Sequence, residues 1–255
     1  MLAPSIRISF FLQNVLFCLV LCAGSAIAKT DLKIYTENLA PLNYEEDGVL
    51  TGYATELLQA VLQSAKIKAE FKVLPWARAY QAALDHPNAL LYATSRTAER
   101  ESQFIWIGPI SSRQMYLYKL RSRKDVKVTS LADAGRYRLG LVREMASTNL
   151  ILKSGLVPDS QIDYTPTQES NMKKLLINRI DLMVTLDWTA AYLAKKHGVK
   201  TDDLEQVLLL DNQHQLYFAM NKQADPNIVR KLQDAFNQIK KQGLMEKLKA
   251  KYKAI

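Results

Sequence analysis

Cysteine is nearly missing from this 255-residue chain: Cys18 and Cys22 are the only two, and both fall within the first 28 residues. Without that stretch the chain has no disulfide, no thiol nucleophile and no thiolate metal ligand. Histidine is almost as scarce. His86, His197 and His214 are scattered, so no metal-ligand spacing forms. Glycine is low as well, with nine residues and no glycine-rich phosphate loop among them. After residue 28 no apolar run approaches the roughly 20 residues of a membrane span. A disulfide scaffold, a metal enzyme, a thiol enzyme and a nucleotide-dependent enzyme of familiar type are therefore disfavoured. No cofactor and no metal are expected.

The first residues have a pattern of their own. Arg7 is the only charge before Lys29. The run Ile8 to Val20 is apolar apart from Ser9, Gln13 and Asn14, and Ala26-Ile27-Ala28 closes it. A charged start, a short apolar run and an A-x-A end are the marks of a cleaved export signal. A lipid anchor on Cys22 would want a small residue before it, and Leu21 is not small. Residues 1–28 are read as a signal peptide, and the product as soluble and periplasmic. Cleavage leaves 227 residues and removes one cation, so the net charge falls from +9 to +8. A basic balance suits nucleic acid, an anionic surface or an anionic small ligand. Export removes nucleic acid from that list.

Along the rest of the chain strands alternate with helices. Leu32 to Tyr35, Ala69 to Leu74 and Ala89 to Thr94 read as strands. Thr55 to Ala65 carries Leu57, Leu58, Val61 and Leu62 at helical spacing, and Trp76 to Leu84 follows Pro75 as a helix. A second set begins at Met115 to Leu120. Ser130 with Asp133 three residues on signals a helix start. Tyr137 to Val142, Gln161 to Tyr164 and Ile180 to Leu186 are strands, with helices at Met172 to Leu176 and Trp188 to Lys196. Val207 to Leu210 and Leu216 to Met220 are the last strands. Asp225-Pro226 opens a helix that Gly243 ends, and Leu244 to Tyr252 forms the final one. Such alternation predicts mostly parallel sheets covered by helices. It runs twice, so an α/β chain of two lobes is expected, with a ligand between them at the carboxyl ends of the strands.

Several segments together resemble a known family. Pro41-Leu42 followed by Gly48-Val49-Leu50-Thr51-Gly52-Tyr53 is similar to the family's opening. Pro75-Trp76, Ser95-Arg96-Thr97-Ala98-Glu99-Arg100, Phe104 to Pro109 and Ser130-Leu131-Ala132-Asp133 follow in the family's order. Gly243 with Glu246-Lys247-Leu248 and Tyr252 matches its ending. The chain thus resembles periplasmic solute-binding proteins of family 3, which bind polar amino acids for ABC transporters. The resemblance implies a two-lobed periplasmic binding protein fold of type II. Lobe 1 would hold residues 29–115 and return at 217–255; lobe 2 would be the insert 116–216. It also implies two crossovers, near Ser112 to Tyr116 and Gln215 to Phe218, acting as a hinge.

The resemblance assigns Arg100 to a ligand carboxylate, for which a guanidinium offers a matched pair of donors. Ser95 and Thr94 end a strand and could contact ligand or cap the strand. Trp76 could stack on ligand or pack in the core, with Arg78 facing the other way. Glu37 could take an ammonium group or be a solvated loop charge. From lobe 2, Arg143 and Ser147 follow a strand, in place of the family's usual glycine and threonine. Asp187 stands one residue from the family's amino-binding aspartate. If three of Arg78, Arg96, Arg100 and Arg143 face the cleft, the ligand carries more than one negative charge. The expected function is capture of a small polar, carboxylate-bearing ligand by a non-enzymatic monomer and its delivery to an inner-membrane ABC permease. Two alternatives stay open. One is a dehydratase on the same fold with Glu37 or Asp187 as general acid. The other is a ligand sensor acting in trans.

Overall fold

The computed structural model describes residues 32–253. The expected signal peptide, 1–28, lies outside the described residues. Two five-stranded sheets organise the chain. The first contains β1 (Leu32–Thr36), β4 (Ala69–Val73), β5 (Ala89–Ser95), β6 (Phe104–Ser112) and β12 (Gln215–Asn221), in the order β4-β1-β5-β12-β6. The second contains β7 (Met115–Leu120), β8 (Leu139–Val142), β9 (Ile162–Thr165), β10 (Leu182–Leu186) and β11 (Leu204–Asp211), in the order β11-β7-β10-β8-β9. A hairpin of β2 (Tyr44–Glu46) and β3 (Val49–Thr51) stands apart.

The expected parallel core is there in both sheets: β1 pairs in parallel with β4 and β5, and β8 with β9 and β10. One strand in each sheet runs against the others. It is β12 in the first and β7 in the second, each antiparallel to both neighbours. Each is the strand by which the chain enters a lobe from a crossover. The crossovers themselves are short: residues 113–114 and 212–214. The expected lobe limits at 116 and 216 therefore fall one residue inside β7 and one inside β12.

Helices form where caps and apolar faces coincide. Helix α1 (Tyr53–Ala65) buries Leu57, Leu58, Val61 and Leu62. Gly52 precedes it at φ 114, and a Cβ there would lie 2.5 Å from the Leu42 carbonyl oxygen, so only glycine fits. Helix α2 (Trp76–Asp85) starts directly after Pro75. The short α3 (Leu131–Ala134) has the expected capping box of Ser130 and Asp133. Two more helices are α4 (Ala146–Ser154) and α5 (Gln168–Leu176), the latter capped by Thr167. Helix α6 (Asp187–Lys196) follows β10 without a break. Asp225 caps α7 (Pro226–Lys241), and α8 (Leu244–Lys253) closes the described chain.

Three elements were not expected. The stretch Phe104–Ser112 is a full strand, because Phe104, Ile107 and Ile110 turn into the core while β12 pairs beside it. The turn around Gly48 belongs to a hairpin. Residues 146–154 are helical despite mixed composition, anchored by buried Ser147, Thr148 and Ile151. No helix among the described residues is long and apolar enough to cross a membrane.

Candidate ligand-binding cleft

The carboxyl ends of the parallel strands in both sheets converge on one cleft, the place where open α/β sheets bind ligands. A cavity of about 40 Å3 opens there. Glu37 follows β1, Ser95 ends β5, Met145 follows β8, and Leu186 ends β10. The reversed strands contribute their starts: Met115 begins β7 and Leu216 is second in β12. The topology thus brings six segments far apart in sequence to one wall.

Lobe 1 supplies the charges. Arg100 is 4 % exposed. Its Nη2 donates to the Glu144 carbonyl at 2.9 Å and its Nη1 to the Ser95 carbonyl at 3.4 Å. Its guanidinium carbon lies 5.1 Å from the Trp76 ring centroid and 4.9 Å from that of Tyr80. Burial lowers its pKa from the ordinary 12.5. Arg100 has no carboxylate ion pair within 4 Å among the described residues. Glu37 is 6 % exposed. Burial pushes its carboxyl up to about 8, and the positive charge of Arg100 partly offsets this. Arg113, in the first crossover, also lines the cavity, but it is paired with buried Asp211 at the end of β11. Asp211 in turn accepts from the backbone amides of Gln213 and His214 in the second crossover, at 3.0 and 3.3 Å. The two crossovers are therefore tied by one buried carboxylate.

Lobe 2 supplies neutral groups. Ser147 lines the cavity from α4. Gln168 and Thr185 line it as well, and Gln168 Oε1 and Thr185 Oγ1 are buried with no hydrogen-bond partner. The local backbone is unusual at the lip. Glu144 takes φ 61, a left-handed conformation costly for a residue with a Cβ. Its carbonyl accepts from both Arg100 and Trp76 Nε1, the latter at 2.8 Å. A carbonyl of lobe 2 thus closes onto lobe 1 where the family resemblance implies a glycine. Farther out, Lys153 Nζ donates to Glu99 Oε1 at 2.5 Å, and Tyr44 meets Tyr192 with ring centroids 5.2 Å apart. Both contacts cross between the lobes.

Five of the nine candidate residues line the cavity: Glu37, Trp76, Ser95, Arg100 and Ser147. The other four stand elsewhere. Thr94 is fully buried and its hydroxyl donates to the Leu91 carbonyl, so it acts within the strand. Arg78 is exposed on α2. The Arg143 guanidinium carbon lies 3.9 Å from the Tyr164 ring centroid, in a separate pocket between the lobes that Pro75 and Trp76 also line. Asp187 begins α6, its backbone amide donating to the Gln114 carbonyl, and Leu186 lines the cavity in its stead. Arg96 pairs with Glu101 through two bonds and packs against Trp106 and Tyr217. Of the four arginines weighed for a multiply charged ligand, only Arg100 lines this cavity, so that condition is not met.

Arg113, Gln168 and Thr185 were not among the candidates. Thr185 could have been found: it stands one residue before the end of a buried strand, close to where Ser95 stands in its own. Arg113 sits inside the expected hinge, but nothing in the sequence pairs it with Asp211. Gln168 follows a helix cap, and no local pattern marks it.

The fold and the cleft together define a two-lobed binding protein. The chain belongs to the bacterial extracellular solute-binding proteins, family 3, whose model matches residues 32–254. It is 23% identical over 217 residues to the protein named Probable amino-acid-binding protein YxeM of Bacillus subtilis (strain 168), covering 83% of this chain and 79% of that one. Among solved structures it is similar to a histidine kinase sensor domain with similarity to periplasmic binding proteins (17% identity, TM-score 0.77, covering 87% and 95% of the two chains). It is also similar to an ancestral arginine-binding protein bound to arginine (19% identity, TM-score 0.76, covering 88% and 98%). At these identities the likeness of structure speaks for the fold.

Proposed function

We propose that the protein is an exported, periplasmic receptor that captures an amino acid and delivers it to an ABC permease. The observation that carries this reading is Arg100: a buried guanidinium at a cavity wall, held by carbonyls and rings but by no carboxylate. A buried charge without a counter-charge is costly. A ligand carboxylate would relieve that cost and bind through charge-assisted bonds. Family membership and the amino-acid-binding name of the Bacillus relative support the ligand class.

The mechanism is hinge closure. Ligand contacts with both lobes favour the closed state over the open one. The crossovers at 113–114 and 212–214 carry the motion. Arg100 and Trp76 then meet the Glu144 carbonyl across the cleft.

The test is thermal unfolding of residues 29–255 against a panel of L-amino acids and dicarboxylates. Ligand at 100 times its Kd adds about 2.7 kcal/mol, equal to an upward shift of about 5–10 °C for a chain of this size. Arg100→Met is expected to weaken binding about 100-fold or more. Full-strength amino-acid binding by that variant would overturn the carboxylate role.

A second reading has one observation in its favour. Glu37 holds its proton near neutral pH beside a buried arginine, as a general acid would. A dehydratase acting on a prephenate-like acid would use both groups. Release of product from prephenate or arogenate by the purified protein would establish that reading, and unchanged substrate would remove it.

A further inference from the structure

Two buried oxygens of lobe 2 have no partner. Thr185 Oγ1 sits one residue before the end of β10, and the residue is 0 % exposed. Gln168 Oε1 sits in the first turn of α5; its own Nε2 donates to Met145 Sδ at 3.3 Å, which leaves Oε1 as the free end. Both residues line the cavity that Arg100 lines. Buried acceptors without donors are rare in folded proteins, and each calls for an explanation. The Glu37 carboxyl lines the same cavity from lobe 1. Among the described residues it forms no salt bridge within 4 Å, and Arg100 is the charge that acts on it. So one cavity holds a guanidinium donor and three side chains with oxygens that can accept from a ligand.

We propose that Glu37, Gln168 and Thr185 together form the subsite for the ligand's ammonium group. An ammonium carries three N–H donors, one for each side chain. An α-amino acid has its ammonium and carboxylate on one carbon, so a single ligand can reach Arg100 and Glu37 together. Asp187, which the family resemblance assigned to this task, begins α6 outside the cavity, and apolar Leu186 takes its place at the wall. The acid has in effect moved from lobe 2 to lobe 1, and lobe 2 offers neutral oxygens instead. An arriving cation also resolves the strain of the site, because it favours the charged form of a carboxyl that burial otherwise keeps protonated. This subsite rests on the carboxylate reading of Arg100.

The experiment is titration calorimetry of the mature protein with matched pairs. L-leucine, L-glutamine and L-arginine are each set against the same carboxylic acid lacking the α-nitrogen. Wild type is expected to prefer the amino acid about 100-fold or more, because the acceptors stay unpaired with the des-amino acid. Glu37→Gln and Thr185→Val are each expected to reduce that preference about 10-fold or more. Thr185→Val keeps the side-chain shape, which guards against a simple folding defect. Arg100→Met is expected to weaken both members of a pair alike, which separates the carboxylate role from the ammonium role. Equal binding of both members by wild type overturns the subsite and leaves the Arg100 reading in place. Loss of the preference in Asp187→Asn, but not in Glu37→Gln or Thr185→Val, also overturns it. Absence of binding for every pair overturns the carboxylate reading and the subsite with it.

Discussion

The two walls of the cleft are built from the same strand ends, yet they differ in chemistry. Lobe 1 brings buried ionisable groups: Glu37 and Arg100, with Arg113 at the hinge. Lobe 2 brings Ser147, Gln168 and Thr185, all uncharged, and a backbone carbonyl from Glu144. Buried charges are expensive and need a rigid, dense setting. Lobe 1 provides it, with the aromatic shell of Trp76 and Tyr80 around Arg100. Neutral oxygens cost less to leave unpaired than buried charges. The lobe 1 wall is thus polar through ionisable groups, and the lobe 2 wall through hydrogen bonding alone.

The largest effect that would break this division lies between the walls. Asp211→Asn leaves Arg113 buried without its counter-charge and loosens the tie between the crossovers. A loss of about 3–5 kcal/mol is expected in urea unfolding, as for other broken buried pairs. A change below about 1 kcal/mol would mean that the hinge pair is not a fixed part of the charged framework.

The next effect sharpens the account of Glu37. Its carboxyl is raised in the fold from the ordinary 4.5 to about 8. A raised acid favours the fold while protonated. That stability is present below about pH 4.5 and is lost as pH rises through about 8. Glu37→Gln cannot ionise, so its advantage over wild type should grow between pH 5 and pH 9, by about 2–4 kcal/mol in ligand-free protein. Urea unfolding at the two pH values measures it. An advantage independent of pH would show that Glu37 is solvated rather than buried.

The smallest effect belongs to the rim. Lys153 and Glu99 join the lobes through exposed side chains. Exposed pairs contribute little and are screened by salt. Lys153→Ala is expected to change ligand affinity less than about threefold. A larger change would assign closure to the rim rather than to the contacts around Glu144.

Much of lobe 1 was readable from residues alone. Glu37 follows a strand, Trp76 follows Pro75, and Ser95 and Arg100 share one short motif, so local sequence already places them near strand ends. Lobe 2 was less readable. Its candidates Arg143 and Asp187 are charged and conspicuous, yet a single residue of offset at a strand end turns a side chain to the opposite face. Leu186 lines the cavity where Asp187 was expected, and Arg143 packs on Tyr164. The groups that do line the wall, Gln168 and Thr185, are common polar residues with no spacing to announce them.

By itself the sequence determined most of the order of strands and helices, the helix caps at Ser130 and Asp225, and the strand-end position of the Arg100 motif. These follow from periodicity, capping chemistry and turn residues, which act over a few neighbours. Only the tertiary structure decided which strand of each sheet runs backwards, that Arg113 and Asp211 join the two crossovers, and that Glu144 turns its carbonyl onto Arg100. Those outcomes depend on contacts between residues 44 to 98 positions apart. Burial, not local preference, selects among such contacts, and burial is known only once the two sheets have formed.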